Sequence, residues 1–299
     1  MVVDDGLLVI GERINPGFKS SEALFDNSDI DGIQALAIKQ AEAGASYLNI
    51  NIGMKALTDL SFMVDVIKAI QEGVDIPLSF DFPNFEVQEM CLNTYDKGKA
   101  GGRKPIVNSI SEHREEMFEA LRVRPTKVIV MASERMEDGI GKSNKEAGQV
   151  YGVVRRITDR LVSDYDMAVE DIIVDVSITT LAVNNEGLIK MVLDAAQMIQ
   201  EDKTLRGIHM MGGISNVGML LPKKRLGDLT LQHGIERSFL TVARPRGFDM
   251  VLGTPWHCYE PLPEDNFILQ KFLEIIELKG NRALKAVRDL YTSPKLEGI

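Results

Sequence analysis

Cysteine is almost absent: Cys91 and Cys258 are the only two in 299 residues. They lie far apart and offer neither a disulfide framework nor the paired spacing of a thiolate metal site. Histidine is nearly as scarce. His113, His209, His233 and His257 are scattered, so each reads first as a structural side chain, and the expectation is a chain with no bound metal. No apolar run reaches the roughly 18 residues of a membrane span. The opening Met1-Val2-Val3-Asp4-Asp5 places acids where a secretory signal carries bases, and its apolar run is confined to Leu7–Ile10. These absences predict a cytoplasmic protein without a membrane segment. Basic residues are in deficit, 34 against 44 acidic ones, for a formal net charge of −10. Such a surface repels phosphate backbones and argues against nucleic acid as a partner.

What the chain has instead is a repeat. Short apolar runs, read as strands, fall at Leu7–Glu12, Tyr47–Ile52, Pro77–Phe82, Pro105–Ile110, Lys127–Ser133, Ile172–Ile178, Gly207–Met211 and Phe248–Gly253. Most are continuously apolar, as strands buried on both faces are. Helical patterns follow at Ile30–Ala43, Thr58–Glu72, Phe85–Lys97, Arg114–Leu121, Lys145–Tyr165, Glu186–Glu201, Leu226–Ala243 and Asn266–Leu278. Ser143, Asn184 and Asp228 are expected N-caps, and Gly44 and Gly73 stand where helices should end. Eight βα units in a chain of this length predict a closed (β/α)8 TIM barrel rather than an open sheet. The glycine fingerprint of a dinucleotide-binding open sheet is missing after the first strand. No linker or low-complexity segment divides the chain. It reads as one domain over residues 1–299, with 260–299 as a C-terminal helical extension around Ala283–Leu290 and a frayed tail.

Barrel chemistry collects where strands end, and polar residues gather there. Glu12, Arg13 and Asn15 close the first strand. Asn49 and Asn51 lie on the second, Asp81 ends the third with Asn84 beyond, and Asn108 and Ser109 lie on the fourth. Ser133 and Glu134 end the fifth strand and Asp175 and Ser177 lie on the sixth. The seventh runs into Gly212-Gly213-Ile214-Ser215-Asn216. Each has a bland alternative: Asn84 as a helix cap, Glu12 and Arg13 as an ion pair sealing the barrel. Asp175 is harder to dismiss, because a carboxylate inside Ile172-Ile173-Val174-Asp175-Val176 needs donors in the barrel or its mouth. A ring of Asp and Asn suits a neutral heterocycle with adjacent N–H and C=O groups, such as the 2-amino-4-oxopyrimidine edge of a pterin.

The motifs Val9-Ile10-Gly11-Glu12-Arg13-Ile14-Asn15 and Tyr47-Leu48-Asn49-Ile50-Asn51-Ile52-Gly53 resemble those of pterin-binding methyltransferases. Asp81, Val107-Asn108-Ser109, Asp175 and Gly213-Ile214-Ser215-Asn216-Val217 follow in the family's order. Within that group the chain is similar to methyltetrahydrofolate:corrinoid protein methyltransferases, over about residues 7–258. Asn49 stands where members often carry aspartate, Asp81 precedes Phe82-Pro83, and Asp175 precedes Val176 where proline is common. The resemblance implies a pterin held by Asp81, Asn108 and Asp175, with Asn216 as the catalytic contact near N5. Glu12 and Asn15 support the site from below, and Ser215 shapes the loop holding Asn216; Asn49 and Gly213 complete the implied binding set. It also implies tetrahydrofolate or 5-methyltetrahydrofolate as substrate, SN2 transfer of the methyl group to or from cobalt, and a homodimer. None of the four histidines stands in a D-x-H-x-x-G cobalamin motif, so the corrinoid is expected on a separate partner protein. Two alternatives stand beside this: a dihydropteroate synthase-like enzyme, for which the ends of strands seven and eight lack the expected bases, and a non-catalytic folate-binding subunit.

Overall fold

A computed structural model of the chain describes residues 6–298. Its centre is a ring of eight parallel strands: β1 (Leu8–Ile14), β2 (Tyr47–Ile50), β3 (Leu78–Asp81), β4 (Ile106–Ile110), β5 (Lys127–Met131), β6 (Ile172–Asp175), β7 (His209–Met211) and β8 (Met250–Gly253). From β1 to β7 each strand pairs with the next in sequence, and β8 pairs with β1, with Leu8 opposite Met250 and Gly11 opposite Gly253. The seam between β7 and β8 closes just beyond β7. Leu252 N donates to Gly212 O at 3.1 Å, and Ile214 N donates to Leu252 O at 3.0 Å. The predicted (β/α)8 barrel is the fold that forms.

The strand sequences read as continuous apolar runs because both faces are buried. Val128, Val130, Ile172 and Val174 point outward into the layer shared with the helices. Ile10, Ile106, Ile129, Ile173, Met211 and Met250 point inward and plug the barrel. Two residues further along, the inward position turns polar: Ile10 gives way to Glu12, Ile106 to Asn108, Ile173 to Asp175. Because side chains repeat a face every second residue, that change of chemistry falls at one end of the barrel, the end where the strands finish.

Most predicted helices form, with shifted ends. The first runs Ile30–Glu42, and Gly44 just beyond it adopts φ +95° as a left-handed stop. Gly73 does not act this way: it is the last residue of the helix Leu60–Gly73, and extended Val74 follows. The segment Glu115–Arg122 is a 3-10 helix rather than an α-helix, short and soon followed by Pro125, a geometry used in brief connectors. After β5 the chain makes an antiparallel hairpin, Glu134–Glu137 with Ile140–Ser143, which the sequence reading did not include. Its signal was Asp138-Gly139, whose φ values of +53° and +76° suit a tight hairpin turn. Ser143 therefore ends a strand, and Glu146 takes the N-cap of Ala147–Tyr165 in a capping box with Gln149. Asp228 is likewise displaced: it sits in the turn between Lys224–Leu226 and Leu229–Thr230, and Thr230 caps Leu231–Ala243. Asn184 lies ahead of the helix Leu188–Glu201, yet its Oδ1 accepts from Ile189 N at 3.2 Å. The C-terminal extension holds two helices, Phe267–Ile276 and Gly280–Tyr291. Its expected fraying is not found up to residue 298, since Glu297 and Gly298 pair with Arg225 and Lys224.

Candidate active site at the barrel mouth

At the strand ends, side chains from β2, β3 and β4 form one hydrogen-bonded cluster. Asn49 Nδ2 and Asn51 Nδ2 both donate to Asp81 Oδ2, at 3.1 and 3.2 Å. Asn49 Oδ1 accepts from Ser79 Oγ at 3.0 Å and from Asn108 Nδ2 at 3.1 Å. Asn49 and Ser79 are buried while Asp81 and Asn108 keep some exposure at the mouth. The asparagine thus uses both ends of its amide to orient a carboxylate and a second amide. A carboxylate at Asn49 could not donate to Asp81 without first taking up a proton.

Two strands further round the ring, at the end of β6, stands Asp175. Its Oδ1 accepts from the backbone N–H of Ser177 at 2.7 Å, a turn for which Ser177 takes φ +62°. Burial pushes the Asp175 carboxyl up to about 6; the Ser177 amide opposes this, and the negative charge of Asp81 adds to it. A carboxyl in that range switches between accepting and donating near neutral pH. Such tuning belongs to functional sites more often than to the surface.

Glu12, from β1, closes the ring on the other side. Its Oε1 accepts from Thr254 Oγ1 at 2.9 Å and its Oε2 from Ser215 Oγ at 3.1 Å. Burial holds this carboxyl above the usual carboxylate range; the two hydroxyl donors pull it down, and Glu236 adds to the rise. Glu12 therefore ties the loops after β7 and β8 to β1. It is not the ion-pair partner of Arg13, which donates to Ser20 and lies 4.0 Å over the Phe18 ring.

The loop after β7 carries Asn216 in a four-residue helix, Ser215–Gly218. Asn216 is exposed, and among the described residues its side-chain amide has no protein hydrogen-bond partner. Gly213 pairs with Leu252, which faces the barrel interior, so a side chain at Gly213 would face inward too. A Cβ placed there would stand 3.0 Å from Asn216 Nδ2. The amide thus hangs over the mouth, in space that glycine leaves free.

The expected site residues Glu12, Asn49, Asp81, Asn108, Asp175, Gly213, Ser215 and Asn216 therefore share one end of the barrel. Asn15 does not join their network: its Oδ1 accepts from Gly17 N at 2.8 Å in a local turn. Asn84 is a helix cap, accepting from Val87 N at 2.9 Å. Three participants were absent from the expected set, Asn51, Ser79 and Thr254. Asn51 and Ser79 were legible as the inward partners, two residues away, of Asn49 and Asp81. Thr254 gave no sequence signal beyond following a strand.

A barrel with a ring of carboxylates and amides at its mouth defines the class. The sequence profile of the pterin binding enzyme family matches residues 12–252, and the chain belongs to that family. Among characterised proteins it is similar to a methylcorrinoid:tetrahydrofolate methyltransferase of Eubacterium limosum, with 25% identity over 263 residues that cover 83% of this chain and 85% of the relative. Solved structures with the same fold include a dihydropteroate synthase of Xanthomonas albilineans bound to 4-aminobenzoic acid. That structure has a TM-score of 0.56 and 15% identity, covering 87% of this chain and 91% of that one. Another is a dihydropteroate synthase from Clostridium difficile, with a TM-score of 0.55 and 16% identity over 97% of both chains.

Proposed function

We propose that the chain is a methyltransferase that moves a methyl group between N5 of tetrahydrofolate and the cobalt of a corrinoid carried by a separate protein. The observation that carries this reading is Asn216: an amide with no hydrogen-bond partner among the described residues, beside a ring of carboxylates and amides in space that Gly213 leaves free. Asp81, Asn108 and Asp175 bind the pterin edge, with Asn49, Asn51 and Ser79 fixing their orientation. Asp175 accepts two N–H bonds in its ionised form. Glu12 and Ser215 hold the loop that presents Asn216 to N5. The similarity to a methylcorrinoid:tetrahydrofolate methyltransferase supports the same pairing of substrates.

In such a transfer the carbon–N5 bond forms as the carbon–cobalt bond breaks, or the reverse, and the corrinoid supplies a cobalt centre that gives up or accepts the methyl group. The protein's part is orientation and a preorganised dipole. When N5 is the leaving group, electron density builds on it, and the Asn216 amide N–H donates to that nitrogen. An amide is no ordinary acid, so the N5 proton itself travels through water. No covalent intermediate with the protein is required.

A partner as large as a protein must reach the mouth. Exposed apolar side chains ring it: Met54 and Leu57 after β2, Met136 and Ile140 on the hairpin after β5, Leu220 after β7 and Trp256 after β8. Apolar groups clustered around a polar cavity suit a docking partner. For a dihydropteroate synthase the same mouth would need cations for a pyrophosphate leaving group, and Gly212-Gly213-Ile214-Ser215-Asn216 and Gly253-Thr254-Pro255-Trp256-His257 supply neither Lys nor Arg.

The test is cobalt spectroscopy with methyltetrahydrofolate and a reduced corrinoid protein. Conversion of Co(I) to methyl-cobalt at a rate proportional to enzyme supports the proposal. Folate binding with an unchanged Co(I) spectrum would identify a non-catalytic folate-binding subunit.

A further inference from the structure

Two histidines that are far apart in sequence meet beside the site. His233 and Glu236 lie one helical turn apart in Leu231–Ala243, where i and i+3 share a face. His257 arrives from the loop after β8. His233 Nδ1 and His257 Nδ1 lie 3.0 and 3.7 Å from the same oxygen, Glu236 Oε2. The imidazole centroids are 4.9 Å apart, and one donor atom from each of the three residues falls within 4.8 Å of the others.

From this geometry we infer that His233, Glu236 and His257 form a binding site for a divalent transition metal of the zinc class. Donors held at about 2.0–2.2 Å on tetrahedral directions stand about 3.3 Å apart. The two nitrogen–oxygen contacts of 3.0 and 3.7 Å bracket that spacing, and the widest donor separation, within 4.8 Å, would shorten as the half-exposed His257 ring moves onto the ion. Two imidazole nitrogens and one carboxylate oxygen match the borderline character of zinc. Calcium or magnesium would call for a shell made mostly of oxygen. Glu236 is only 6% exposed, and a buried carboxylate gains most from a cation placed directly against it. The His257 side chain is 40% exposed, so the fourth position opens to water there.

The site would fasten the loop after β8 to the helix behind it. That loop begins at Thr254, the donor to Glu12 Oε1, and His257 N donates to Thr254 O at 3.0 Å. Tyr259 adds a second tie, accepting from Thr254 N at 2.9 Å. A metal here holds the loop against which Glu12 is positioned. The inference does not depend on the methyl-transfer proposal, because it concerns metal affinity alone.

Chelator-treated full-length protein is dialysed against Zn2+ alone and the bound metal is measured by elemental analysis. Co2+ is then substituted and its visible spectrum recorded. The expected result is one equivalent per chain, tetrahedral cobalt bands, and a loss of affinity of about 100-fold or more in H257A. H257A removes a partly exposed side chain and should fold; E236Q, which keeps the shape and removes the charge, provides the second variant. Absence of stoichiometric metal in the wild-type chain overturns the inference. So does wild-type affinity in both folded variants, which would place any bound metal elsewhere.

Discussion

Asn49 Nδ2 lies 3.1 Å from Asp81 Oδ2, and the same asparagine's Oδ1 accepts from both Ser79 and Asn108. One amide thereby sets the direction of a carboxylate on the neighbouring strand and of an amide one strand further on. Asn49→Ala removes three hydrogen bonds and leaves the buried Ser79 hydroxyl without its acceptor. Leaving such groups unpaired costs about 1–3 kcal/mol, so urea unfolding should show a loss in that range, and folate affinity should fall with it. A loss under about 0.5 kcal/mol in the same measurement would mean that the cluster re-pairs without Asn49 and is not the organising residue.

Asp175→Ala should weaken tetrahydrofolate binding by about 1.5–3 kcal/mol, the value of a hydrogen bond to a charged group. Calorimetry on the folded variant reads this directly. Unchanged affinity would remove Asp175 from the binding set.

The raised pKa of Asp175 gives a separate pH signature. The carboxyl holds its proton to about 6 in the folded chain, above its ordinary value of about 3.9. The folded state therefore binds more protons than the unfolded one between these values. Its contribution to stability is fully present below about pH 4 and is lost as the pH rises through about 6. Asp175→Asn should remove that downward slope in the unliganded protein. Folate N–H donors favour the ionised carboxylate, so binding should tighten as the pH rises towards about 6 and then level off. Below that, affinity should fall by up to about tenfold per pH unit. A pH-independent dissociation constant from pH 5 to 8 would contradict the assignment.

Much of this site was legible in the sequence because it follows from strand periodicity. Once Ile173 faces inward, so does Asp175, and the same step carries Ile10 to Glu12 and Ile106 to Asn108. The eight-fold repeat and the polar mouth are local patterns. What sequence did not show was pairing across strands or loops. The link from Glu12 to Thr254 joins the first strand to the loop after the last, and neither residue advertises it. The meeting of His233 with His257 depends on how one helix packs beside the loop after β8, which no spacing encodes. Asn15 failed in the opposite direction: a polar residue after a strand satisfied its own turn before it could serve a ligand.

Gly213→Ala probes the mouth by crowding the Asn216 amide while leaving the Asn216 side chain itself unchanged. The added methyl would come 3.0 Å from Asn216 Nδ2, the free end of a side chain that can rotate away. Stability should therefore change by less than about 1 kcal/mol. The displaced amide should slow methyl transfer well beyond any weakening of folate binding. A variant with wild-type transfer kinetics would show that the position of Asn216 above Gly213 is irrelevant to the reaction.

Asn216→Ala isolates the proposed N5 contact itself. Asn216 is exposed and its side chain makes no hydrogen bond among the described residues, so the core gains little from it. Melting temperature should stay close to wild type, with a stability change under about 1 kcal/mol. The contact matters most as charge develops on N5, and loss of one preorganised donor costs on the order of 100-fold in rate. Folate affinity should fall by less than the rate, because the ground-state nitrogen is a weaker acceptor than the nitrogen in the transition state. The competing explanation is a turn-forming role for a residue whose backbone carbonyl accepts from Met219 N at 3.2 Å. In that case the melt would shift while transfer per folded molecule survived. Single-turnover transfer at saturating folate, measured beside a thermal melt, separates the two, and a wild-type rate in the folded variant would remove Asn216 from the chemistry.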